Sequence, residues 1–240
     1  MRQINWKIAI ANAYAVLCFG ACIWASTSMA QVAPSSAEIG QYKGLHAAAH
    51  HGDLVQIERL GTAAIHVNAT ESYGRTPLHI ATFARQRQAI RALVKAGADT
   101  NLLENDRYDA VTIASVADDE ETLRVLLALG ASAKLTTSRW QGTALIAAAH
   151  LGHDGVVRQL IQAGAPLDHV NNLHWTAAIE AVVLGNGGAR HQACLQALAD
   201  AGANMKLTDS SGQSPLQLAR ARGYTAMVNI LEKAEKSRKK

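Results

Sequence analysis

The stretch Thr76-Pro77-Leu78-His79-Ile80-Ala81 opens a unit that closes with Leu93-Val94-Lys95-Ala96-Gly97-Ala98-Asp99. Gly97 recurs as Gly130, Gly164 and Gly202, each followed by alanine, at steps of 33, 34 and 38 residues. A period near 33 residues indicates stacked repeats, in which each unit buries its apolar face only against its neighbours. The 240-residue chain is 49% hydrophobic, and its many alanines favour thin helical layers over one large core.

Each mark of the repeat has a physical reason. Thr76 is expected to cap the first helix of its unit, and Pro77 suits the first helical position, where no amide hydrogen is needed. Leucine and valine at three- and four-residue spacing form the buried face of the second helix. The glycine that follows takes a left-handed conformation and turns the chain toward the next unit.

The Thr-Pro-Leu-His and Gly-Ala marks over residues 42–233 resemble the ankyrin-repeat family. The resemblance implies an all-α solenoid of stacked helix-turn-helix units with β-hairpin fingers. It also implies a scaffold without catalytic activity, which binds another protein through its fingers and its concave groove. The match is specific in repeats 2, 4 and 6 and degenerate in repeats 1 and 3. The six predicted repeats are 42–70, 71–103, 104–136, 137–170, 171–208 and 209–233.

The start of the chain has the features of an export signal. Arg2 and Lys7 flank the beginning of an apolar stretch, and Ser28-Met29-Ala30 supplies the small residues that a signal peptidase recognises. We therefore expect a secretory signal at 1–30, cleaved after Ala30, then a linker at 31–41 and a periplasmic or secreted protein. The alternative is an uncleaved anchor in the inner membrane, because about 18 apolar residues just span a bilayer.

The formal charge of +4 is concentrated at the two ends of the chain. Residues 31–232 carry 16 basic and 18 acidic side chains, so the repeat body is mildly acidic. A nucleic-acid partner is not expected, because a nucleic-acid groove needs basic residues spread along one face. Residues 234–240 form a basic tail. Its possible interaction is a weak contact with an anionic membrane surface. With Cys194 as the one cysteine after cleavage, a disulfide-free monomer is predicted.

The sequence contains no hydrolase, phosphate-loop or zinc-protease signature, so we expect no catalytic residue and no cofactor. A metal- or small-ligand-sequestering protein is the alternative function. It depends on His46 and His50, four residues apart on one predicted helix face, and on the neighbouring His51. Against it, His46 occupies the position of His79, where the repeat places a histidine that satisfies loop backbone. We therefore predict that the chain has no metal site.

Aromatic residues recur just before the capping position of the first helices, where the fingers are predicted. Two interpretations remain open, namely packing between fingers and aromatic anchors for a partner protein. Arginines beside two of these rings add cationic chemistry that is typical of interfaces. The candidate partner-binding residues are Tyr73, Arg107, Tyr108, Arg139, Trp140, His174 and Trp175 on the fingers, with Phe83 and Leu151 on the first helices.

Charged residues also recur with the period of the repeat. Asp118 lies one period of 33 residues after Arg85, and Glu120 lies one period after Arg87. This register predicts ion pairs between the corners of neighbouring repeats, each with a small effect on stability because the corners are exposed.

The glycine-rich segment 185–188 explains the longest step between repeats. It carries no lysine at the spacing of a phosphate loop, so a nucleotide site is not expected. The segment is either a tolerated insertion between two helices or a flexible lip that touches a partner.

Overall fold

The computed structural model describes residues 31–61 and 67–237. The chain divides into two compact units, Met1–Val32 and Ala33–Lys240, so the described residues lie almost wholly in the second. The predicted secretory signal at 1–30 lies outside the described residues. Within the two described ranges, no helix is long and apolar enough to cross a membrane.

Among the described residues of the second unit, a one-turn helix, α1 (Ser36–Ile39), is followed by six pairs of helices. The first helices of successive pairs pack on one another, and the second helices do the same, so the pairs stack as two layers. In chain order the pairs are α2 (Gly44–His51) with α3 (Leu54–Gly61), α4 (Pro77–Phe83) with α5 (Arg87–Lys95), α6 (Ala110–Val116) with α7 (Glu120–Ala128), α8 (Ala144–Leu151) with α9 (Asp154–Gln162), α10 (Ala177–Val183) with α11 (Ala189–Asp200), and α12 (Pro215–Ala221) with α13 (Thr225–Ser237).

The first helices begin where the sequence predicts. In repeats 2 to 6 a side-chain oxygen at the residue before the first helix accepts the amide three residues later, which satisfies one of the free donors of the first turn. Helix α2 of repeat 1 follows Lys43 and has no such side-chain cap. The capping residues are Thr76, Asp109, Thr143, Thr176 and Ser214.

The core of the stack is a row of small residues between neighbouring first helices. The fifth residue of each first helix is a buried alanine, which lets adjacent helices approach closely. Larger aliphatic side chains such as Ile90, Leu126 and Leu160 fill the layer of second helices and are fully buried. The alanines are Ala48, Ala81, Ala114, Ala148, Ala181 and Ala219.

Each helix pair is joined to the next by a finger, a tight turn whose first amide donates to its last carbonyl at 2.8–3.1 Å. Within 31–61 and 67–237 the structure contains no β-strand, and the one isolated bridge joins Thr137 to Gly142. The all-α solenoid is therefore confirmed, and its hairpin fingers are too short to form a ladder. The fingers are finger 1 (71–75), finger 2 (104–108), finger 3 (137–142), finger 4 (171–175) and finger 5 (209–213).

Both ends of the repeat region carry helix that the sequence does not suggest. Helix α1 lies inside the segment expected to be a linker, where Ser35 and Glu38 form a capping box. The Glu38 carboxylate lies 3.3 Å from the buried guanidinium of Arg75, which ties α1 to finger 1. At the other end, α13 continues to Ser237, so the basic tail begins within a helix.

His79 is a buried connector between its helix and the following loop. Its Nε2–H donates to the Leu102 carbonyl at 3.0 Å, and its Nδ1 accepts the Thr76 amide at 3.0 Å. These two bonds fix the neutral tautomer with the proton on Nε2. Burial opposes protonation and lowers the pKa of His79 from 6.5 to about 4.

The low pKa of His79 makes the stability of the fold dependent on pH. In the unfolded chain His79 takes up a proton near pH 6.5, whereas in the folded chain it stays neutral down to about pH 4. Its contribution is therefore complete above pH 6.5 and is lost as the pH falls toward 4. We expect His79→Thr, which introduces the residue that stands at Thr112, to lower stability at pH 7 and flatten the decline between pH 7 and 4.5.

Urea unfolding at the two pH values measures both effects, with His51→Thr as the control because His51 is exposed. An unchanged decline in the His79→Thr variant would show that other groups cause the acid sensitivity.

Candidate partner-binding surface

Every finger has a turn-closing residue in the left-handed region of backbone space, whose amide donates to the carbonyl three residues earlier. Finger 3 has a second left-handed residue, Ser138 (φ 63°), which supplies the carbonyl that the Gln141 amide bonds. The two outermost fingers use Gly74 (φ 73°) and Gly212 (φ 74°), whereas the three middle fingers use Arg107 (φ 66°), Gln141 (φ 53°) and His174 (φ 62°). A residue with a Cβ pays about 1–2 kcal/mol for this conformation, and glycine does not. The middle fingers thus keep side chains at an energetic cost.

Backbone hydrogen bonds join the first four fingers to one another. An amide of each finger donates to a carbonyl of the finger before it, so the four turns form one continuous row. The bonds are Asn105 N to Tyr73 O at 3.0 Å, Ser138 N to Arg107 O at 2.9 Å, and Asn172 N to Trp140 O at 3.0 Å.

Two finger carboxylates bond to backbone amides of their own turns. Glu71 Oε1 accepts the amides of Tyr73 and Arg75 at 3.0 and 3.1 Å. Glu104 is buried, and its Oε1 accepts the Tyr108 amide at 3.0 Å. Burial raises the pKa of Glu104 despite these bonds to the backbone. Glu71 and Glu104 therefore stabilise the turns, whereas the side chain of Asp106 on finger 2 is 52% exposed.

Three basic side chains of the middle fingers are exposed to solvent. Arg107 and His174 are exposed, and neither side chain makes a hydrogen bond or ion pair with any other described residue. The side chain of Arg139 is 66% exposed and lies 3.6 Å from the Asp106 carboxylate. The structure thus brings these three predicted residues to the same row of fingers.

The aromatic candidates differ in their surroundings. Trp140 and Tyr108 are half-buried, and Trp175 is half-buried against the hydrophobic core. Tyr73 is exposed, and the Arg75 guanidinium lies 4.7 Å from its ring centroid. Tyr73 is therefore occupied by an internal cation–π contact, and the middle fingers hold the remaining rings.

Phe83 and Leu151 lie on the first helices but are not neighbours. The Arg75 guanidinium is 5.5 Å from the Phe83 ring centroid, so this ring belongs to the same cluster as Tyr73. Leu151 is 42% exposed in repeat 4, next to the equivalent Leu184 of repeat 5, which is 39% exposed. Both leucines lie at the C-terminal ends of their first helices, away from the fingers, so the structure does not bring Leu151 to the finger row.

Residues 35–104 and 111–209 match the family model for ankyrin repeats. The chain belongs to the ankyrin-repeat family. It is 31% identical over 185 residues to the putative ankyrin repeat protein YahD of Escherichia coli K12, covering 77% of this chain and 92% of that protein. An ankyrin repeat domain from Acinetobacter baumannii AYE is 41% identical with a TM-score of 0.75, covering 80% of this chain and 97% of that one.

A further similar structure comes from the IkappaB protein family. The ankyrin repeat domain of Bcl-3, a member of the IkappaB protein family, is 27% identical with a TM-score of 0.72 and covers 81% of this chain and 86% of that one. Ankyrin repeats are in general protein–protein interaction modules without enzymatic activity, so the predicted class of function is confirmed at that level.

Sequence reasoning missed one buried polar cluster in the ankyrin stack. Glu180 of α10 is 0% exposed. The equivalent positions of the other first helices hold only apolar residues, and the repeat register could have revealed the exception. They are Ala47, Ile80, Ile113, Ala147 and Leu218.

Two neighbours contact the Glu180 carboxylate. Its Oε1 accepts the Asn171 side-chain amide at 3.0 Å, and its Oε2 lies 3.2 Å from His150 Nδ1 without forming a hydrogen bond. Asn171 in turn accepts the amides of Leu173 and Trp175, so it closes finger 4. Glu180 therefore connects finger 4 with His150 on the first helix α8.

This connection predicts a non-additive effect on stability. His150→Ala leaves the Glu180 carboxylate without its basic neighbour, and we expect a loss of about 1–3 kcal/mol because removing one partner exposes the cost of burial. Adding Glu180→Leu, the residue that repeat 6 uses, removes the buried carboxylate and should recover most of that loss. A double-mutant cycle by urea unfolding measures the coupling, and additive single effects would show that the two side chains act independently.

The corner ion pairs join neighbouring repeats, but with partners other than those predicted. Arg87 and Arg85 both pair with Asp119, at 3.1 and 3.5 Å, and not with Asp118 and Glu120. Asp118 instead pairs with Arg190, two repeats further, at 2.7 Å. Burial of Asp119 opposes ionisation, yet hydrogen bonds from Thr122 and Arg87 outweigh it and lower the pKa of Asp119. The predicted pairs were wrong because they were based only on the spacing of charged residues along the repeat. The Asp119 side chain caps α7, and this hydrogen bond holds its carboxylate in place.

The three histidines of the alternative metal site do not converge. His46 Nε2 lies 3.1 Å from the Arg75 carbonyl, and His51 Nδ1 lies 2.8 Å from the Ala47 carbonyl. His50 packs edge-on against His51 with ring centroids 4.9 Å apart. Burial, and then the charge of His51, lower the pKa of His50. Across 31–61 and 67–237 there is no group of three histidine, cysteine or acidic side chains that could hold a metal ion.

The glycine-rich insertion is hydrogen-bonded to its surroundings. The Tyr224 hydroxyl donates to the Gly185 carbonyl at 3.1 Å, and the Gln192 side chain donates to the Gly187 carbonyl at 2.7 Å. A Cβ at Gly185 would collide with the Ala181 carbonyl oxygen, so only glycine fits there. The segment therefore packs between repeats 5 and 6.

Proposed function

We propose that this ankyrin-repeat protein is exported from the cytoplasm and is a non-enzymatic scaffold, which binds a partner protein through its middle fingers, 2 to 4. The observation that carries the proposal is the left-handed backbone of Arg107, Gln141 and His174. Outliers of this kind are retained where a side chain is needed at a particular place. Glycine at the same position of the outer fingers closes the turn without that cost.

The corners of the same stack provide an internal comparison. Arg85 and Asp118 also have left-handed backbone, with φ of 55° and 52°, where other repeats have Gly52 and Gly152. Both make ion pairs inside the protein, so their side chains serve the fold.

The side chains of Arg107, Gln141 and His174 make no hydrogen bond or ion pair with other described residues, so an external contact is the remaining use for them. Trp140 and Arg139 lie on the same fingers, and tryptophan and arginine are the residue types that most often anchor interfaces.

The export part of the proposal is supported by the basic start, the apolar stretch and Ser28-Met29-Ala30. Signal cleavage after Ala30 predicts that the mature protein recovered from the periplasm or medium begins at Gln31. N-terminal sequencing of the exported protein checks this expectation. Recovery of intact Met1 in the membrane fraction would support an uncleaved anchor instead.

The binding part is tested by photo-crosslinking in living cells that export the protein. A photoreactive amino acid replaces Arg139 on finger 3, whose side chain is 66% exposed, or Arg124 on the outer helix α7, whose side chain is 59% exposed. We expect a discrete protein adduct from position 139 and not from position 124. Equal labelling from both positions, or none from position 139, would contradict binding at the fingers.

Glycine variants then separate recognition from stability. Arg107→Gly and His174→Gly relieve the left-handed strain, so we expect the free energy of unfolding to rise by up to about 1 kcal/mol or stay unchanged. The same variants should reduce the adduct from position 139. A variant that loses stability and keeps the adduct would show that these side chains serve the fold.

A further inference from the structure

One position of the repeat reaches back to the first helix of the preceding repeat. It lies eleven residues before the glycine of the Gly-Ala mark and holds Gln86, His153 and His191 in repeats 2, 4 and 5. Gln86 Nε2 donates to the His50 carbonyl at 3.2 Å, and His153 Nδ1 lies 2.9 Å from a carbonyl of α6. His191 Nε2 lies 2.9 Å from the His150 carbonyl near the end of α8. A single N–H donor is enough for each of these links.

His191 also contacts the glycine-rich segment 185–188. Its Nδ1 lies 3.1 Å from Asn186 Oδ1. The same Oδ1 accepts the Gly188 amide at 2.9 Å, which identifies this atom of Asn186 as the oxygen, because the amide nitrogen cannot accept. The His191 ring therefore lies between two oxygen atoms, one from α8 and one from the segment that lengthens repeat 5.

Both partners of the His191 ring are acceptors only. A neutral imidazole carries one N–H and can donate to one of them, whereas its other nitrogen would face an oxygen lone pair. The imidazolium carries an N–H on each nitrogen and donates to both oxygens. The end of α8 also favours a positive charge, because a helix dipole is negative at its carboxyl end. Two features of the geometry thus favour the doubly protonated ring.

The elements packed around this corner present charges that are paired with one another. Arg190 lies 2.7 Å from Asp118 and 3.4 Å from Asp154. Arg158 lies 2.8 Å from Asp154. The two oxygens that contact the His191 ring carry no formal charge, so hydrogen bonding and not an ion pair holds its second proton. The other titratable residues at this corner are His150, His153, Glu180 and Tyr224.

We propose that His191 is a proton-dependent clasp. With a proton on each ring nitrogen it ties Asn186 to the end of α8, and the loss of one proton releases Asn186 and loosens the turn that Gly188 closes. The release falls on this turn because the α8 carbonyl is fixed within the stack, while the segment contains three glycines. Histidine side chains change their charge between about pH 5 and 8, which is the range in which the clasp is expected to open. The clasp is separate from the fingers of the proposed function.

The test follows the full chain, labelled with ¹⁵N, by NMR at about pH 5 and about pH 8. We expect both ring nitrogens of His191 to be protonated at the lower pH and only one at the higher pH. Relative to an unstructured peptide, the Gly188 amide should exchange with solvent at least about fivefold faster at the higher pH, because one hydrogen bond that holds its acceptor is lost.

Two variants assign this response to a residue. His191→Gln introduces the residue that repeat 2 has at this position, so it keeps a donor for the His150 carbonyl but cannot titrate. The pH response of the Gly188 amide should then disappear. The matched control His153→Gln makes the same change in repeat 4 and should leave the response within about twofold.

Three results would overturn the inference: an unprotonated ring nitrogen of His191 at about pH 5, an equal response of Gly188 in His191→Gln, or a loss of the response in His153→Gln. The ring measurement uses the unchanged protein, so it decides the question even if His191→Gln fails to fold.

Discussion

The structure depends on the close approach of neighbouring first helices at their buried alanines. No helix pair of this chain is large enough to bury its own apolar face, so each pair is stable only between its neighbours. Ala81, Ala114 and Ala148 leave room for backbones to pack directly. The caps, the second helices and the fingers all have positions that follow from this contact, because the repeat geometry is set by the distance between first helices.

A thin stack has little interior in which to place polar groups, and the buried side chains of His79 and Glu180 contact specific partners. His79 donates to Leu102, and Glu180 is shared by Asn171 and His150. Polar burial of this kind costs free energy unless every group is paired. In repeat 5 the contacts also couple finger 4 to the first helix α8, so a local departure from the apolar pattern links a finger to the helix layer.

The sequence predicts the fold well because caps, small residues and helix-ending glycines act locally. Thr76 and Ser214 begin helices as expected, and Gly97 and Gly130 have the left-handed backbone that ends them. The binding surface is less predictable. Left-handed backbone at Arg107 is not visible in its residue type, and the burial of Glu180 becomes visible only when the repeats are aligned by position.

The row of fingers is held together by backbone atoms. The carbonyls of Tyr73, Arg107 and Trp140 accept the linking amides, and a carbonyl is present whatever the side chain. Substitution at these three positions therefore leaves the links intact. The surface that meets other molecules can diversify during evolution while its scaffold stays the same, so one ankyrin stack is open to new partners through a few exchanges at its finger tips.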